Sequence, residues 1–246
     1  MLSFLSLGFL LGMAHALEAD HIAAVGTLAS DGRATPKRLA FLGASWGMGH
    51  TTTLFLLSLP VVAFGYALSA RAYAGLEVAV GVMLVGLGAH VLWKLWRKRV
   101  HFHVHDHGEG PHLHAHSHAA STLPHARDPH DHAHFSFSPR AFAVGLAHGA
   151  AGSAGLVALA AAASGSAALA MLYVAIFGIG SVLGMAFLTW AASWPLGLAE
   201  ASAGRILTVL QLAVAGLAIY VGMTHMAEFA PALAGAAGAG AAAGAG

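Results

Sequence analysis

Six apolar stretches, each long enough to cross a bilayer, limit what this chain can fold into. They run over residues 2–30, 38–68, 73–96, 139–163, 168–192 and 203–226. A spanning helix needs about 20 predominantly apolar residues. Backbone groups inside hydrocarbon must bond within the protein, so each stretch is predicted as a transmembrane helix. Charged residues make up 9% of the 246, against roughly 25% in soluble domains. That is too little charge to cover a soluble surface, and a soluble enzyme is excluded. The predicted fold class is an all-α integral membrane protein with six transmembrane helices. Its 31 glycines suit close helix packing. The chain has no cysteine, which excludes disulfides, thiolate metal sites and cysteine nucleophiles. A Gly-x-x-x-x-Gly-Lys-Ser/Thr run is absent too, so the chain carries no P-loop of its own.

The loops are short apart from residues 97–138, which hold 12 of the 18 histidines. The first 30 residues lack a basic leader and carry Glu18, Asp20 and two histidines, so they read as a span and not as a cleaved signal. Arg33, Lys37, Arg38, Lys94, Arg97, Lys98, Arg99, Arg127, Arg140 and Arg205 fall on one side of the predicted membrane, and Arg71 alone on the other. Basic loops stay in the cytoplasm. Both termini are therefore expected outside and the histidine-rich loop inside, in a bacterial cytoplasmic (inner) membrane.

An internal repeat is visible. Residues 9–16 read FLLGMAHA and residues 142–149 read FAVGLAHG, an offset of 133. Weaker matches follow in order: Gly43-Ala44-x-x-Gly47-Met48 with Gly180-Ser181-x-x-Gly184-Met185, and Gly86-Leu87-x-x-x-Val91 with Gly216-Leu217-x-x-x-Val221. Three spans per half make the second half enter from the opposite face, a 3+3 inverted repeat, and such transporters bind substrate near the midplane. The expected organisation is a first three-helix repeat over 1–96, a cytoplasmic histidine-rich loop over 97–138, a second repeat over 139–226 and a disordered Ala/Gly tail over 227–246.

His15, Glu18, Asp20 and His21 lie inside the first span. Ionisable groups in hydrocarbon cost a few kcal/mol each on insertion scales, so packing does not account for four of them in seven residues. Imidazole and carboxylate together suit a first-row divalent metal. At 100° per residue His15, Glu18 and His21 share an arc while Asp20 points away, and His15 and His21 stand about 9 Å apart along a helix axis. Either the helix unwinds here, or some of these groups hold the ligands in place and do not bind the ion. His50, in the next span, and His148, the repeat mate of His15, are further candidate ligands. His90 and His225 lie near span ends, where interfacial anchoring accounts for them, and Glu77 and Glu200 are expected near headgroups. In the long loop His101, His103, His105 and His107, then His112, His114, His116 and His118, then His125, His130, His132 and His134 form alternating tracts. With pKa values near 6.5 these imidazoles are largely neutral in the cytoplasm and free to coordinate metal loosely.

HALEADHI followed by GASWGMGHTTT resembles the nickel/cobalt transporter family. Its His-x-x-x-x-Asp-His motif falls on His15, Asp20 and His21, and its Gly-His-Ser/Thr signature on Gly49, His50 and Thr51. Residues 145–153 resemble the Gly-Leu-x-His-Gly-x-x-Gly-Ser element of short bacterial members labelled urease accessory or high-affinity nickel transport proteins. Glu18 departs from the aspartate that nickel importers usually carry. The resemblance implies a secondary transporter for Ni²⁺ or Co²⁺ with no prosthetic group. His15, Asp20, His21, His50 and His148 would meet the ion, and Glu18 and Thr51 would orient ligands or carry a proton. Its partners would be the divalent ion, membrane lipid and a cytoplasmic metallochaperone, with no nucleic acid. Efflux by the same fold, and a membrane-bound metal store serving urease or hydrogenase maturation, are the alternatives. A rhomboid-type protease is disfavoured because Ala151-Gly152-Ser153 breaks the Gly-x-Ser spacing, and a zinc protease because HALEADH is not His-Glu-x-x-His.

Overall fold

The computed structural model describes residues 2–29, 35–65, 69–97, 103–105, 112–114, 137–150, 165–201 and 205–243. Seven helices form among them: α1 (Leu2–His15), α2 (Ala19–Ala29), α3 (Pro36–Phe64), α4 (Ala70–Arg97), α5 (Pro139–His148), α6 (Ala167–Ala201) and α7 (Arg205–Ala243). Four of these (α3, α4, α6 and α7) are long and apolar enough to cross a membrane, and α1 with α2 makes a fifth if the bent pair is one span. The first expected span is thus two helices. The fourth, 139–163, is helical through His148, and residues 151–164 lie outside the described ones. Large apolar side chains such as Leu56, Phe187, Val209 and Tyr220 point outward, as a surface facing lipid tails allows.

One expectation is corrected. Helix α7 continues to Ala243, so the segment read as a disordered tail is helical over most of its length. Alanine is the best helix former, and it outweighs the interspersed glycines. The long loop also holds a short ladder, β1 (His103–His105) antiparallel to β2 (His112–His114), with His103 opposite His114 and His105 opposite His112. Alternation of histidine with valine or leucine gives each strand a period of two, the strand pattern.

Local chemistry sets the helix limits. Pro36 opens α3 with its φ already helical, and Gly65 closes it at φ 70, donating its N–H to the Val61 carbonyl at 3.0 Å. Ser138 caps α5 by accepting from the Ala141 N–H at 3.3 Å, while its own N–H donates to Ser45 Oγ on α3 at 3.0 Å.

Glycines decide how the helices pair. On α1 and α6, Gly8 faces Tyr173 and Gly12 faces the Phe177 carbonyl, so the two run in the same direction. Gly145 lies on the Trp46 carbonyl and Gly149 on that of His50, so α5 runs with α3. Helix α3 crosses α6 in the opposite sense, with Gly43 against Met185, Gly47 against Val182 and Thr51 against Gly178. Helices α4 and α7 also oppose, through Gly81 with Gly222 and Gly88 with Ala215. Two packed groups result. Among the described residues, α1, α3, α5 and α6 form one, α2 and α4 gather on α7 as the other, and a buried apolar cluster that includes Trp46, Val80, Met185 and Ala218 joins the two.

A Cβ at Gly43 or Gly145 would meet backbone of the facing helix, whereas at Gly86 or Gly216 it would meet nothing. Overpacking costs about 1–3 kcal/mol. Gly43→Ala and Gly145→Ala are expected to lower the midpoint of thermal unfolding in detergent, while Gly86→Ala and Gly216→Ala leave it unchanged or slightly raised. Equal midpoints for all four would refute this packing.

Candidate metal site

The first span breaks inside HALEADHI. Helix α1 ends at His15, the next residues form a turn with Leu17 N–H to the Ala14 carbonyl at 2.9 Å and Glu18 N–H to the His15 carbonyl at 3.1 Å, and α2 leaves at 54°. The bend brings the His15 and His21 rings to 4.4 Å between centroids. A straight helix would hold them about 9 Å apart along its axis. The interruption of the helix that the sequence left open is found, bent by 54°.

Helix α3 supplies His50, whose Nε2 lies 3.2 Å from His15 Nε2. Two ligands at about 2.1 Å from one ion, at angles between octahedral and tetrahedral, stand roughly 3.0–3.4 Å apart. The two nitrogens therefore have the spacing of neighbouring ligands. His15, His21 and His50 form one group able to hold a metal, and Asp20, His21 and His148 form a second that shares His21.

The carboxylates fix which nitrogens are free. Asp20 Oδ1 accepts from His21 Nδ1 at 2.9 Å and Oδ2 from His148 Nε2 at 2.9 Å. Glu18 Oε1 accepts from His15 Nδ1 at 2.7 Å. A carboxylate on one ring nitrogen sets the tautomer, leaves the lone pair on the other and raises its basicity toward a metal. His21 Nε2, His50 Nδ1 and His148 Nδ1 are buried with no hydrogen-bond partner, and buried polar atoms are seldom left so. Imidazole-rich donors of this kind suit Ni, Co, Zn or Cu in preference to Mg or Ca. Helix α1 ends at the cluster, and its terminal carbonyls favour a cation there.

The short helix α5 delivers His148 as its last residue. The Gly-Leu-Ala-His-Gly run works sterically, since Gly145 and Gly149 let α5 lie on the α3 backbone beside His50. In the Gly-His-Thr-Thr-Thr run, Gly49 admits the Phe142 carbonyl, Thr51 donates to the Gly178 carbonyl at 3.2 Å and Thr53 to the Leu146 carbonyl at 2.8 Å. Thr51 thus ties α3 to α6.

Trp46 went unnoticed in the sequence. It is fully buried, with its ring 5.4 Å from that of His21 and 5.6 Å from that of His148. Its position four residues before His50 puts it on the same helix face, a signal that was present. Glu77 and His225 need correction as well. Glu77 is buried at the α4–α7 contact and lies 3.4 Å from His225 Nδ1, so neither group is simply anchored among headgroups. His90 stacks on Trp93 near the end of α4, in keeping with anchoring. Of the loop histidines, His103, His105, His112 and His114 lie in the ladder and the rest lie outside the described residues.

Imidazoles buried together around an orienting carboxylate, within a bundle of apolar helices, define a membrane protein with a candidate site for a transition metal. The family model described as high-affinity nickel-transport protein matches residues 1–235, and the chain belongs to that family. It is also 32% identical over 200 residues to a urease accessory protein, UreH, of Bacillus sp. (strain TB-90), covering 80% of this chain and 79% of that one. No solved structure matches the chain.

Metal and proton compete for the same imidazole lone pairs. With residues 101–134 deleted to remove the loop histidines, Co²⁺ is expected to bind near one equivalent with the absorption of a nitrogen-ligated ion. Affinity should fall as pH is lowered, and His50→Ala should weaken binding by at least about tenfold, a typical effect even of groups behind the ligands. An unchanged titration in His50→Ala would remove it from the site.

Proposed function

We propose that this protein is a secondary transporter that moves Ni²⁺, or Co²⁺, across the bacterial cytoplasmic membrane through the His15–Asp20–His21–His50–His148 cluster. The observation that carries this reading is the break in the first span, which gathers ligand nitrogens from both ends of the chain into the apolar bundle. A hydrated ion arriving there exchanges water for the Nε2 atoms of His15, His21 and His50. Asp20 keeps His21 and His148 oriented and balances part of the positive charge. For inward movement the membrane potential supplies about 2.3 kcal/mol per charge per 100 mV, and about twice that for a divalent ion.

The 3+3 inverted repeat belongs to the same proposal. Contact directions support it: α1 runs with α6, α6 against α3, and α3 with α5, so the mates α1 and α5 run oppositely, as do α3 with α6 and α4 with α7. The basic loops place the termini outside and the histidine-rich loop in the cytoplasm, where it buffers arriving ions. The urease accessory relative fits nickel supply to an apoenzyme, with a soluble metallochaperone taking the ion from the loop.

The test is flux in proteoliposomes, measured for Ni²⁺, Co²⁺ and Zn²⁺ in both directions. Asp20→Ala should abolish flux in protein that still inserts, because two imidazoles lose their orienting partner. Deleting residues 101–134 should leave substantial maximal flux and change mainly the apparent affinity. Normal flux in Asp20→Ala would sink the site, and complete loss in the deletion would place the loop within the pathway.

A further inference from the structure

A second polar cluster lies where α4 meets α7. The antiparallel register that sets Gly81 on Gly222 also sets Glu77 opposite His225, one helical turn away. Glu77 is 2% exposed, and its Oε2 lies 3.4 Å from His225 Nδ1. The Tyr73 hydroxyl hydrogen-bonds the same carboxylate. Phe229 packs on both the Tyr73 and His225 rings, closing the cluster on one side. Beside it Glu228 is exposed and close enough to Tyr73 to act on it electrostatically.

The charge pattern around this cluster is specific. Residues 206–243 of α7 contain no lysine or arginine, so His225 is the group on that helix that can balance Glu77. On α4, Arg71 is exposed and about 9 Å of helix rise from Glu77. Among the neighbouring helices, α2 carries Asp20 and His21, both engaged with the imidazole cluster. Helix α5 carries Arg140 and His148, and α6 carries Tyr173 near its start. With one proton the Glu77–His225 pair is neutral overall, as carboxyl with imidazole or as carboxylate with imidazolium. Removing that proton leaves a buried negative charge, and adding a second leaves a buried positive one; both are costly at membrane depth.

We propose that Glu77, His225 and Tyr73 form a proton-binding site, separate from the imidazole cluster, that takes up and releases one proton during the transport cycle. On loading, hydronium transfers its proton to a Glu77 oxygen, an O–H bond forms and water leaves. Unloading is the reverse. The place of this proton in the cycle rests on the transport reading; the binding of the proton does not.

The experiment uses the full chain in proteoliposomes and has two readouts, infrared difference spectra across a pH series and metal flux across the same series. In wild type a carboxyl carbonyl band should appear on acidification and be missing in Glu77→Gln. At metal concentrations that saturate the imidazole cluster, flux in Glu77→Gln should lose the pH-dependent step that tracks the band, while Co²⁺ binding at that cluster and its own fall at low pH persist. Glu77→Asp should keep both signals at a shifted pH, and His225→Gln should shift the band alone or with the flux profile. An unaltered band and flux profile in Glu77→Gln would overturn the proposal. If that variant does not fold, Glu77→Asp and His225→Gln decide, and wild-type behaviour in both would overturn it. A titrating band lost with Glu77, in protein that moves no metal, would keep the proton site and reject the transport reading instead.

Discussion

One carboxylate, Asp20, joins the beginning of the chain to its second half. Its two oxygens accept from His21 beside it and from His148 on α5, residues 128 positions apart in sequence from Asp20 to His148. An ionisable group in hydrocarbon is tolerated when it is paired and hydrogen-bonded. Everything around Asp20 serves that pairing. The helix break turns it toward the bundle, the glycines of α5 bring His148 within reach, and Trp46 closes the cavity beside both imidazoles. The same bonds leave lone pairs on nitrogens that have no other partner, so the features that make the aspartate tolerable also prepare a place for a cation.

Much of this was legible because hydrocarbon is an unforgiving solvent. The apolar runs marked the helices, and His15, Asp20 and His21 stood out since packing offers no reason for them. Helix geometry alone left two choices, a break or groups that stand behind the ligands, as a straight α-helix cannot bring His15 and His21 together. The angle of the break could not be read, since it depends on how α1 settles on α6 and α2 on α7. The setting of Glu77 was hidden for a similar reason. Its burial depends on the register between α4 and α7, which their glycines fix only once the two helices are known to be partners. The bond from Thr51 to the Gly178 carbonyl was not legible either, because a hydroxyl beside a histidine looks the same in sequence whether it faces that histidine or a carbonyl of the next helix.

The helix pairs also show what replaces the hydrophobic effect inside a membrane. Lipid tails are as apolar as leucine, so burying leucine gains little, and contact between small residues and backbone takes over. Glycine on one helix meets a carbonyl on the next at site after site, and threonine hydroxyls add hydrogen bonds to those carbonyls. Such contacts are short and directional, and they hold the helices in one register.

The two packed groups of helices give the imidazole cluster an unusual address. His15, His50 and His148 belong to α1, α3 and α5, whereas Asp20 and His21 ride on α2 with α4 and α7. An ion held by imidazoles from both sides would be a rivet through a seam. Coordination bonds keep their length within about 0.2 Å, so a slip of one group past the other by less than the width of an atom strips a ligand from the ion. The turn at residues 16–18 is the shortest covalent link across the same seam, and it lies at the cluster itself. Coordination number is then a gauge of how the two bodies sit, readable by X-ray absorption at the bound metal without any label on the protein.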